Sequence, residues 1–324
     1  MDINGHVKVI AITFTAVTSL IVNYSITLIS GESFIELWVN LVRIIISKYG
    51  RISDEELSQI INIIEECYAR LMPHEVSLID LYIFESFSLA ELFTMKEYAS
   101  LGVSATPYLE ENFFAMHDAW RGIPRITLFI DRLRVLPEVV KVGGIRHEVG
   151  HTVLHGSLEY YLLALPVPLI RAIEEFNLPL EYAKNILYLV SIAVKDYEVT
   201  RLLYSRGYIS DQVEYVRFLL KDNEEETFSW RLSSGNSLLE ALHLVSLLKV
   251  LGCAAPLLAD EKFGNDIRAE ITRYLSYLPE DLSRTLIEIV EENFARLGDD
   301  TIQNINSMVE NCIIMILSKF FRGR

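Results

Sequence analysis

The residues that offer chemistry most directly lie in the stretch GGIRHEVGHTVLHGS, residues 143–157. Three histidines, His147, His151 and His155, follow one another at steps of four, and Glu148 comes directly after the first. Residues four apart on a helix lie one turn apart on the same face, so His147 and His151 can direct ring nitrogens at a single metal ion. The opposite face of the segment is apolar. The spacing therefore predicts a metal site on an amphipathic helix.

Glu148 has the position of a proton carrier. A carboxylate next to the first histidine can reach a water on the metal without binding the metal itself. Zinc lowers the pKa of such a water towards neutrality and polarises a carbonyl, while the carboxylate takes the proton and passes it to the leaving amine. These residues predict a hydrolase: a zinc-dependent peptidase with Zn²⁺ as cofactor, His147 and His151 as ligands and Glu148 as general base. Its partner is a peptide or protein substrate. His155, two turns beyond His147, is too distant to share the ion and is interpreted as a cleft or core residue.

The pattern of elements around the motif predicts an α+β, predominantly helical fold. Helices are predicted over 33–49, 53–73, 88–102, 181–207 and in several stretches of 236–318, and strands over 76–86 and 122–137. Ser53 as N-cap with Glu56 three residues on is the clearest helix start. Because strands are confined to the first half, we predict an N-terminal α/β part (1–105), a metal-binding core (106–207) and a helical C-terminal part (208–324), which can form one compact unit.

Composition excludes some classes of function. The 29 basic and 44 acidic residues give a net charge of −15, which argues against non-specific nucleic-acid binding and favours a soluble, cytoplasmic protein. The three cysteines are far apart and predict buried free thiols, and the scarcity of glutamine is typical of thermophilic proteins. Residues 10–30 lack charge over a membrane-spanning length, but their threonines, serines and β-branched residues favour a buried element over a membrane anchor.

The motif RHEVGHTVLHGS, with PRITLFIDRL just upstream, resembles the zincin metallopeptidases over residues 120–205. The resemblance implies a zincin-like core, a small sheet plus an active-site helix. It is closer to the gluzincin branch, in which a later helix supplies an acidic third ligand. The metzincin branch requires glycine and then histidine or aspartate where this chain has Leu154 and Ser157. The motif also resembles small intracellular zincins of a regulatory type.

The third ligand implied by that resemblance has several candidates. They are Glu159, Glu174, Glu175, Glu181, Asp196 and Glu198. The last two lie in VKDYEVTRLL, where an unpaired charge in an apolar run is costly. They are about 200° apart around a helix, so at most one faces the metal. We interpret Glu198 as the ligand and Asp196 as a partner that orients a histidine. The likeness of this segment to the ExEAD helix of some membrane-associated gluzincins instead puts Asp196 at the metal and Thr200 where an aspartate is expected.

Two questions stay open at this level. A donor to the carbonyl oxygen is needed in such a site, and Tyr160, Tyr161, Tyr204 and His243 are candidates. The alternatives to a soluble peptidase are a catalytically inactive zincin-like metal-binding or interaction protein and a membrane-anchored protease. An open cleft beside the metal would favour an enzyme over the inactive protein.

Overall fold

The structure, a computed structural model, describes residues 24–30, 33–39, 42–100, 113–221 and 224–321. Its strands are β1 (Tyr24–Ser30), β2 (Ser33–Val39), β3 (Arg43–Tyr49), β4 (Leu78–Phe84), β5 (Ala115–Asp118) and β6 (Arg125–Phe129). Its helices are α1 (Asp54–Leu71), α2 (Phe87–Ser100), α3 (Ile130–Leu133), α4 (Glu138–His155), α5 (Val167–Phe176), α6 (Leu180–Ser205), α7 (Ile209–Leu219), α8 (Glu224–Ser233), α9 (Ser237–Ala254), α10 (Gly264–Tyr274), α11 (Glu280–Glu288), α12 (Thr301–Cys312) and α13 (Ser318–Phe321).

The strands form one small mixed sheet and a separate hairpin. β1 pairs with β2 in antiparallel fashion, while the four-stranded sheet has the order β3-β4-β6-β5. In that sheet β3, β4 and β6 run parallel, and β5 is an antiparallel edge strand. Because strands are few and helices many, the predicted α+β, mainly helical class is confirmed.

Two large hydrophobic clusters, and a small third one around Phe84 and Phe129, hold the described residues together. One packs the inner strands β4 and β6 against α1 and α4, with Ile79, Leu81 and Leu128 fully buried. The other lies among the helices from α5 onwards. The 26-residue helix α6 contributes to both clusters, through Val190 to the helical one and through Val199 to the one on the sheet. The division of the chain into three parts, 1–105, 106–207 and 208–324, remains a prediction.

Most of the predicted elements are confirmed. The helix at 53–73 is α1, and its capping box is complete: the Glu56 backbone N–H donates to Ser53 Oγ (3.2 Å), and the Ser53 N–H donates to Glu56 Oε2 (3.1 Å). The strand predicted at 76–86 is β4. The helix predicted at 88–102 is α2, which the structure describes as far as residue 100, and the helix predicted at 181–207 is α6. All three cysteines are buried free thiols, as predicted.

Three sequence interpretations need correction or qualification. The helix predicted over 33–49 is wrong, because this stretch forms β2 and β3; the β-branched run Ile44–Ile46 favours a strand once β4 pairs beside it. The strand predicted over 122–137 ends at Phe129, since the backbone then turns into α3. Most of the uncharged stretch 10–30 lies outside the described residues, and its last part is strand β1.

Two glycines allow the helices around α6 to pack closely. A Cβ atom at Gly150 of α4 would lie 2.7 Å from Val199 Cγ1 of α6, and one at Gly252 of α9 would collide with the Ala193 carbonyl oxygen. Real side chains do not tolerate such approaches without a shift of the neighbour. Absence of a side chain at these positions therefore lets α4 and α9 approach α6 from two directions.

The apolar helix α9 belongs to the core. With the short 3₁₀ turn that follows it, Ser237–Ala259 is long and apolar enough to cross a membrane by length and composition. However, 61% of its apolar window is buried inside the protein. Burial of this kind is what a core helix of a globular protein requires.

Candidate metal centre and active site

Helix α4 presents the histidine motif from the core outwards. Ile145 and Val149 are fully buried and fasten the helix to the sheet. On the other side, His147 and Glu148 are also buried, with exposed fractions of 2% and 6%, and His151 is partly buried. Burial of three polar side chains at one place is costly unless they find partners. The predicted amphipathic helix, with one face packed on the core and another that carries the histidines and Glu148, is therefore confirmed.

Asp196 of α6 is the acid that the structure brings to the two histidines. Its Oδ1 lies 3.0 Å from His151 Nε2 and 3.6 Å from His147 Nε2. Ligand atoms around a tetrahedral zinc, with bonds of about 2.0–2.2 Å, are about 3.3 Å apart. The distances from Asp196 Oδ1 to the two imidazole nitrogens therefore match two edges of such a tetrahedron. Burial lowers the pKa of His151 to about 3, so this imidazole is neutral at ordinary pH, as a ligand must be.

Glu198, the ligand favoured from the sequence, does not face these histidines. Its carboxylate accepts hydrogen bonds from Thr301 Oγ1 (2.7 Å) and Asn304 Nδ2 (2.5 Å), both on α12, and lies 2.9 Å from His155 Nε2. Asp196 and Glu198 are two residues apart on α6 and so point to different neighbours. The structure thus pairs His147 and His151 with the alternative, Asp196, and pairs His155 with Glu198.

The bonds around Asn304 determine which atoms in that second group are donors. The backbone N–H of Gly298 donates to Asn304 Oδ1 (2.9 Å), so the amide nitrogen of Asn304 is the atom that faces Glu198. Thr301 donates to the same carboxylate. Because Glu198 acts as an acceptor towards all its neighbours, the hydrogen between it and His155 belongs to His155 Nε2.

The same reasoning about hydrogen positions extends from His155 to His151, and it shows whether the candidate metal site suits a cation. Burial lowers the pKa of His155, so its ring is neutral and its Nδ1 is an acceptor. His151 Nδ1 lies 3.3 Å from that atom and carries the hydrogen, which leaves a lone pair on His151 Nε2. This lone pair faces Asp196 Oδ1 at 3.0 Å. Two acceptors at that distance repel one another unless a cation lies between them, so the residues fit a metal ion.

A fourth potential ligand comes from α9. The ligand atoms of His147, Asp196 and Cys253 all lie within 4.8 Å of one another, and all three residues are buried. Burial raises the pKa of the Cys253 thiol well above its usual value, so the thiol is protonated unless a metal displaces the proton. The sequence pattern gave no sign of this contact, because Cys253 is 106 residues beyond His147 and has no neighbouring cysteine.

Glu148 lines the cavity next to His147. Burial raises the pKa of Glu148 to about 7, and the nearby Asp196 carboxylate acts in the same direction. A carboxyl group with that pKa can take up and release a proton near neutral pH. Its environment is therefore suited to the general-base role predicted from the sequence.

His117 of the edge strand β5 is a site residue that the sequence reasoning missed. Its ring stacks on that of His151, with centroids 5.5 Å apart, and its Nδ1 lies 3.0 Å from the Tyr161 hydroxyl. Its buried Nε2 has no hydrogen-bond partner among the described residues, and its side chain lines the cavity. The strand that carries it is only four residues long, so no local pattern marked His117 as functional.

The other donor candidates separate into two groups. Tyr160 and Tyr161 line the cavity. Tyr204 is bonded instead to Asp260 (2.9 Å), and His243 to Tyr277 (2.9 Å), away from the cavity wall. The four earlier glutamates considered as ligands are exposed and do not line the cavity: Glu159, Glu174, Glu175 and Glu181.

A cavity of about 520 Å³ opens beside the histidines and includes His147, Glu148, His151 and Asp196 in its wall. Its volume lies within the roughly 300–1,000 Å³ typical of ligand sites. The flanking helices therefore do not seal the candidate metal site.

The comparisons with known proteins give no relative from which a role could be transferred. No family model, no curated protein and no solved structure matches the chain.

Proposed function

We propose that this protein is a zinc-dependent metallopeptidase with a zincin-like core built on α4, and that His147, His151 and Asp196 hold the ion. The observation that carries the proposal is the convergence of two imidazole nitrogens and one carboxylate oxygen on the wall of an open cavity, beside the buried Glu148. Asp196 takes the role that the sequence interpretation gave to Glu198. Zinc is the metal we favour, because neutral imidazoles and a carboxylate with one position left open form a typical catalytic zinc site.

Glu148 provides the proton transfers. Zinc, when bound, would act as a Lewis acid that lowers the pKa of a water and polarises the substrate carbonyl. Glu148 accepts a proton as the water oxygen bonds to the carbonyl carbon, and then delivers that proton to the amide nitrogen as the C–N bond breaks. The products are a carboxylic acid and an amine, which after proton transfer are a carboxylate and an ammonium ion. The pKa of about 7 allows Glu148 to act in both steps.

His117 and Tyr161 supply the hydrogen-bond donor. If the Tyr161 hydroxyl donates to His117 Nδ1, the hydrogen of His117 lies on Nε2, a buried atom that has no partner in the part of the chain that the structure describes. Such an N–H is available to the carbonyl oxygen as negative charge develops on it. The outer edge of β5, which carries His117, can also pair with an extended substrate backbone.

The test is a pair of substitutions with two readouts, bound zinc and cleavage of an internally quenched peptide. Glu148→Gln is expected to lower kcat/KM by about 10²- to 10⁴-fold and to leave bound zinc per chain unchanged. Asp196→Ala is expected to remove the zinc and the activity together. Full activity in Glu148→Gln would contradict the proposed mechanism, and full zinc content in Asp196→Ala would contradict the ligand assignment.

Cys253 favours a second candidate function, a closed metal site in a non-catalytic protein. If its thiolate completes the set of ligands, no position remains for water. Cobalt substitution distinguishes the two, because a thiolate ligand produces a near-ultraviolet charge-transfer band that Cys253→Ser would abolish. Absence of the band in the unmodified protein supports the open, catalytic site.

The predicted cytoplasmic location and the alternative of a membrane anchor do not depend on the candidate metal site. Of the possible membrane anchor, residues 10–23 lie outside the described residues. A cytoplasmic location therefore remains a prediction, which cell fractionation with an antibody to the full chain would check.

A further inference from the structure

Apolar side chains make up most of the surface that lines the cavity. Side chains from the sheet, from the segment after α4 and from the later helices contribute to it. They include Phe87, Phe129, Leu163, Leu165, Leu187 and Leu219. When a ligand places aliphatic or aromatic groups against such a surface, apolar area is removed from water, and this burial favours binding.

The charges in the wall exclude one class of ligand. Among the described residues that line the cavity, the acids are Glu148 and Asp196, which the proposed mechanism already uses. The bases are Lys184, Lys195 and Lys249. Lys184 is paired with Glu181 outside the wall (2.6 Å), so the wall holds no carboxylate that the proposed mechanism leaves unused among the described residues. A lysine or arginine side chain entering it would lose its water without gaining a free carboxylate partner.

The mouth of the cavity carries an aromatic ring and an ammonium group, since Lys184 lines the cavity and has 52% of its side chain exposed. Tyr188 of α6 lines the cavity and has 63% of its surface exposed, so it stands at the boundary with solvent. Near it, Lys195 is held inside the wall: its ammonium group donates to the Tyr160 carbonyl oxygen (2.5 Å) and lies 4.6 Å from the centre of the Tyr161 ring. Entry is therefore past an aromatic ring, and the positive charge behind it is fixed in place.

We propose that the cavity binds an unfolded, apolar and non-basic peptide segment, and that a large aliphatic or aromatic side chain enters it beside the bond to be cleaved. The statement about cleavage rests on the proposed peptidase function, whereas the statement about binding does not. A cavity of about 520 Å³ holds a short stretch of side chains, which requires the substrate to be extended rather than folded.

The first experiment uses the zinc-loaded full chain with Glu148→Gln and four fluorescent peptides of equal length. They differ at one central position, which is leucine, phenylalanine, glutamate or lysine. The leucine and phenylalanine peptides are expected to bind about 10- to 100-fold more tightly than the lysine peptide, by fluorescence anisotropy. Equal affinity across the four peptides would overturn the proposal.

The second experiment changes the wall. Leu163→Glu is expected to weaken binding of the leucine peptide by about 10-fold and to strengthen binding of the lysine peptide, because a carboxylate then lines the cavity. Leu162→Glu is the matched control, since Leu162 is 71% exposed and does not line the cavity. Thermal unfolding and zinc content establish that both variants are folded. An unchanged peptide preference in a folded Leu163→Glu would overturn the assignment of this wall.

Cleavage assays separate this inference from the proposed function. If the unmodified protein binds apolar peptides selectively but cleaves none, the peptidase proposal fails, while the proposal that the cavity binds apolar, non-basic peptides is supported. If it cleaves lysine and leucine peptides with the same kcat/KM, the peptidase proposal stands and the ligand class fails.

Discussion

A single hydrogen on the imidazole of His151 decides which of its nitrogens can bind a metal. That hydrogen is held on Nδ1 by His155, which is in turn fixed by Glu198, and Glu198 by Asn304 and Thr301. Partners behind a ligand histidine set its tautomer and orientation and raise its basicity. At the residue scale, Glu198 therefore orients the proposed ligand His151 through His155.

The prediction at this scale concerns Asn304. Asn304→Ala removes a donor to Glu198 and should weaken zinc binding by about 10- to 100-fold, measured by competition with a chromophoric chelator. Gln303→Ala is the control, because Gln303 is exposed on the same helix and bonds only locally to Asp300. Identical zinc affinity in the two variants would show that the chain of hydrogen bonds does not act on the metal.

The motif itself could be predicted from the sequence, and the assignment of the acids could not. The spacing of His147 and His151 fixes their common face because both lie on one helix. Asp196 and Glu198 also share one helix, but the choice between them depends on α12, which packs beside Glu198 and lies more than a hundred residues further along the chain. The same holds for His117 and Cys253, which only long-range packing brings to the site.

At the scale of elements, α1 shows how a local sequence signal acquires a long-range role. Glu56 closes the capping box with Ser53 and also accepts two hydrogen bonds from Arg134, at 2.7 and 3.0 Å. Arg134 lies directly after α3, in the connection that leads to α4. The cap could be predicted from the S-x-x-E pattern, whereas the ion pair required the fold.

The Glu56 contacts predict a dependence of stability on pH. The hydrogen bond from Arg134 lowers the pKa of Glu56 from its ordinary 4.5 to about 2. The contribution of this group is therefore fully present above pH 4.5 and is lost as the pH falls towards 2. Glu56→Gln should lower the free energy of unfolding by about 1 kcal/mol at pH 7, and the difference from the unmodified protein should shrink between those limits.

Urea unfolding at a series of pH values measures this effect. Glu55→Gln is the control, because Glu55 occupies the same helical turn but is exposed. A difference between Glu56→Gln and the unmodified protein that stays constant down to pH 2 would contradict the role of the ionised carboxylate.

At the scale of the whole molecule, the candidate metal site joins the two parts of the core. The histidines come from α4, which packs on the sheet, and Asp196 comes from α6, which also packs against α9 and α12. The division into a mixed first half and a helical second half could be predicted from the pattern of the sequence. The way α6 serves both parts could not, because apolar spacing does not state which neighbour each face meets.

This arrangement predicts that zinc stabilises the entire chain. A ligand that binds only the folded state adds about 2.7 kcal/mol to the free energy of unfolding at 100 times its Kd, which for a chain of 324 residues corresponds to a rise in Tm of about 4 °C. Differential scanning calorimetry with zinc and with a chelator checks this value. Asp196→Ala should show no such rise, and a rise equal to that of the unmodified protein would place the stabilising zinc elsewhere.

The close packing at Gly150 and Gly252 links the register of α6 to the geometry of the candidate metal site. At these two positions α4 and α9 pack directly against α6, with no side chain in between. A shift of α6 by one residue against these neighbours would turn each of its side chains by about 100° around the helix axis. Such a shift would remove Asp196 from His147 and His151 and, at the same time, Glu198 from His155. If the proposed zinc site exists, only chains with α6 in register would bind the ion, so bound metal would report correct packing of this helix.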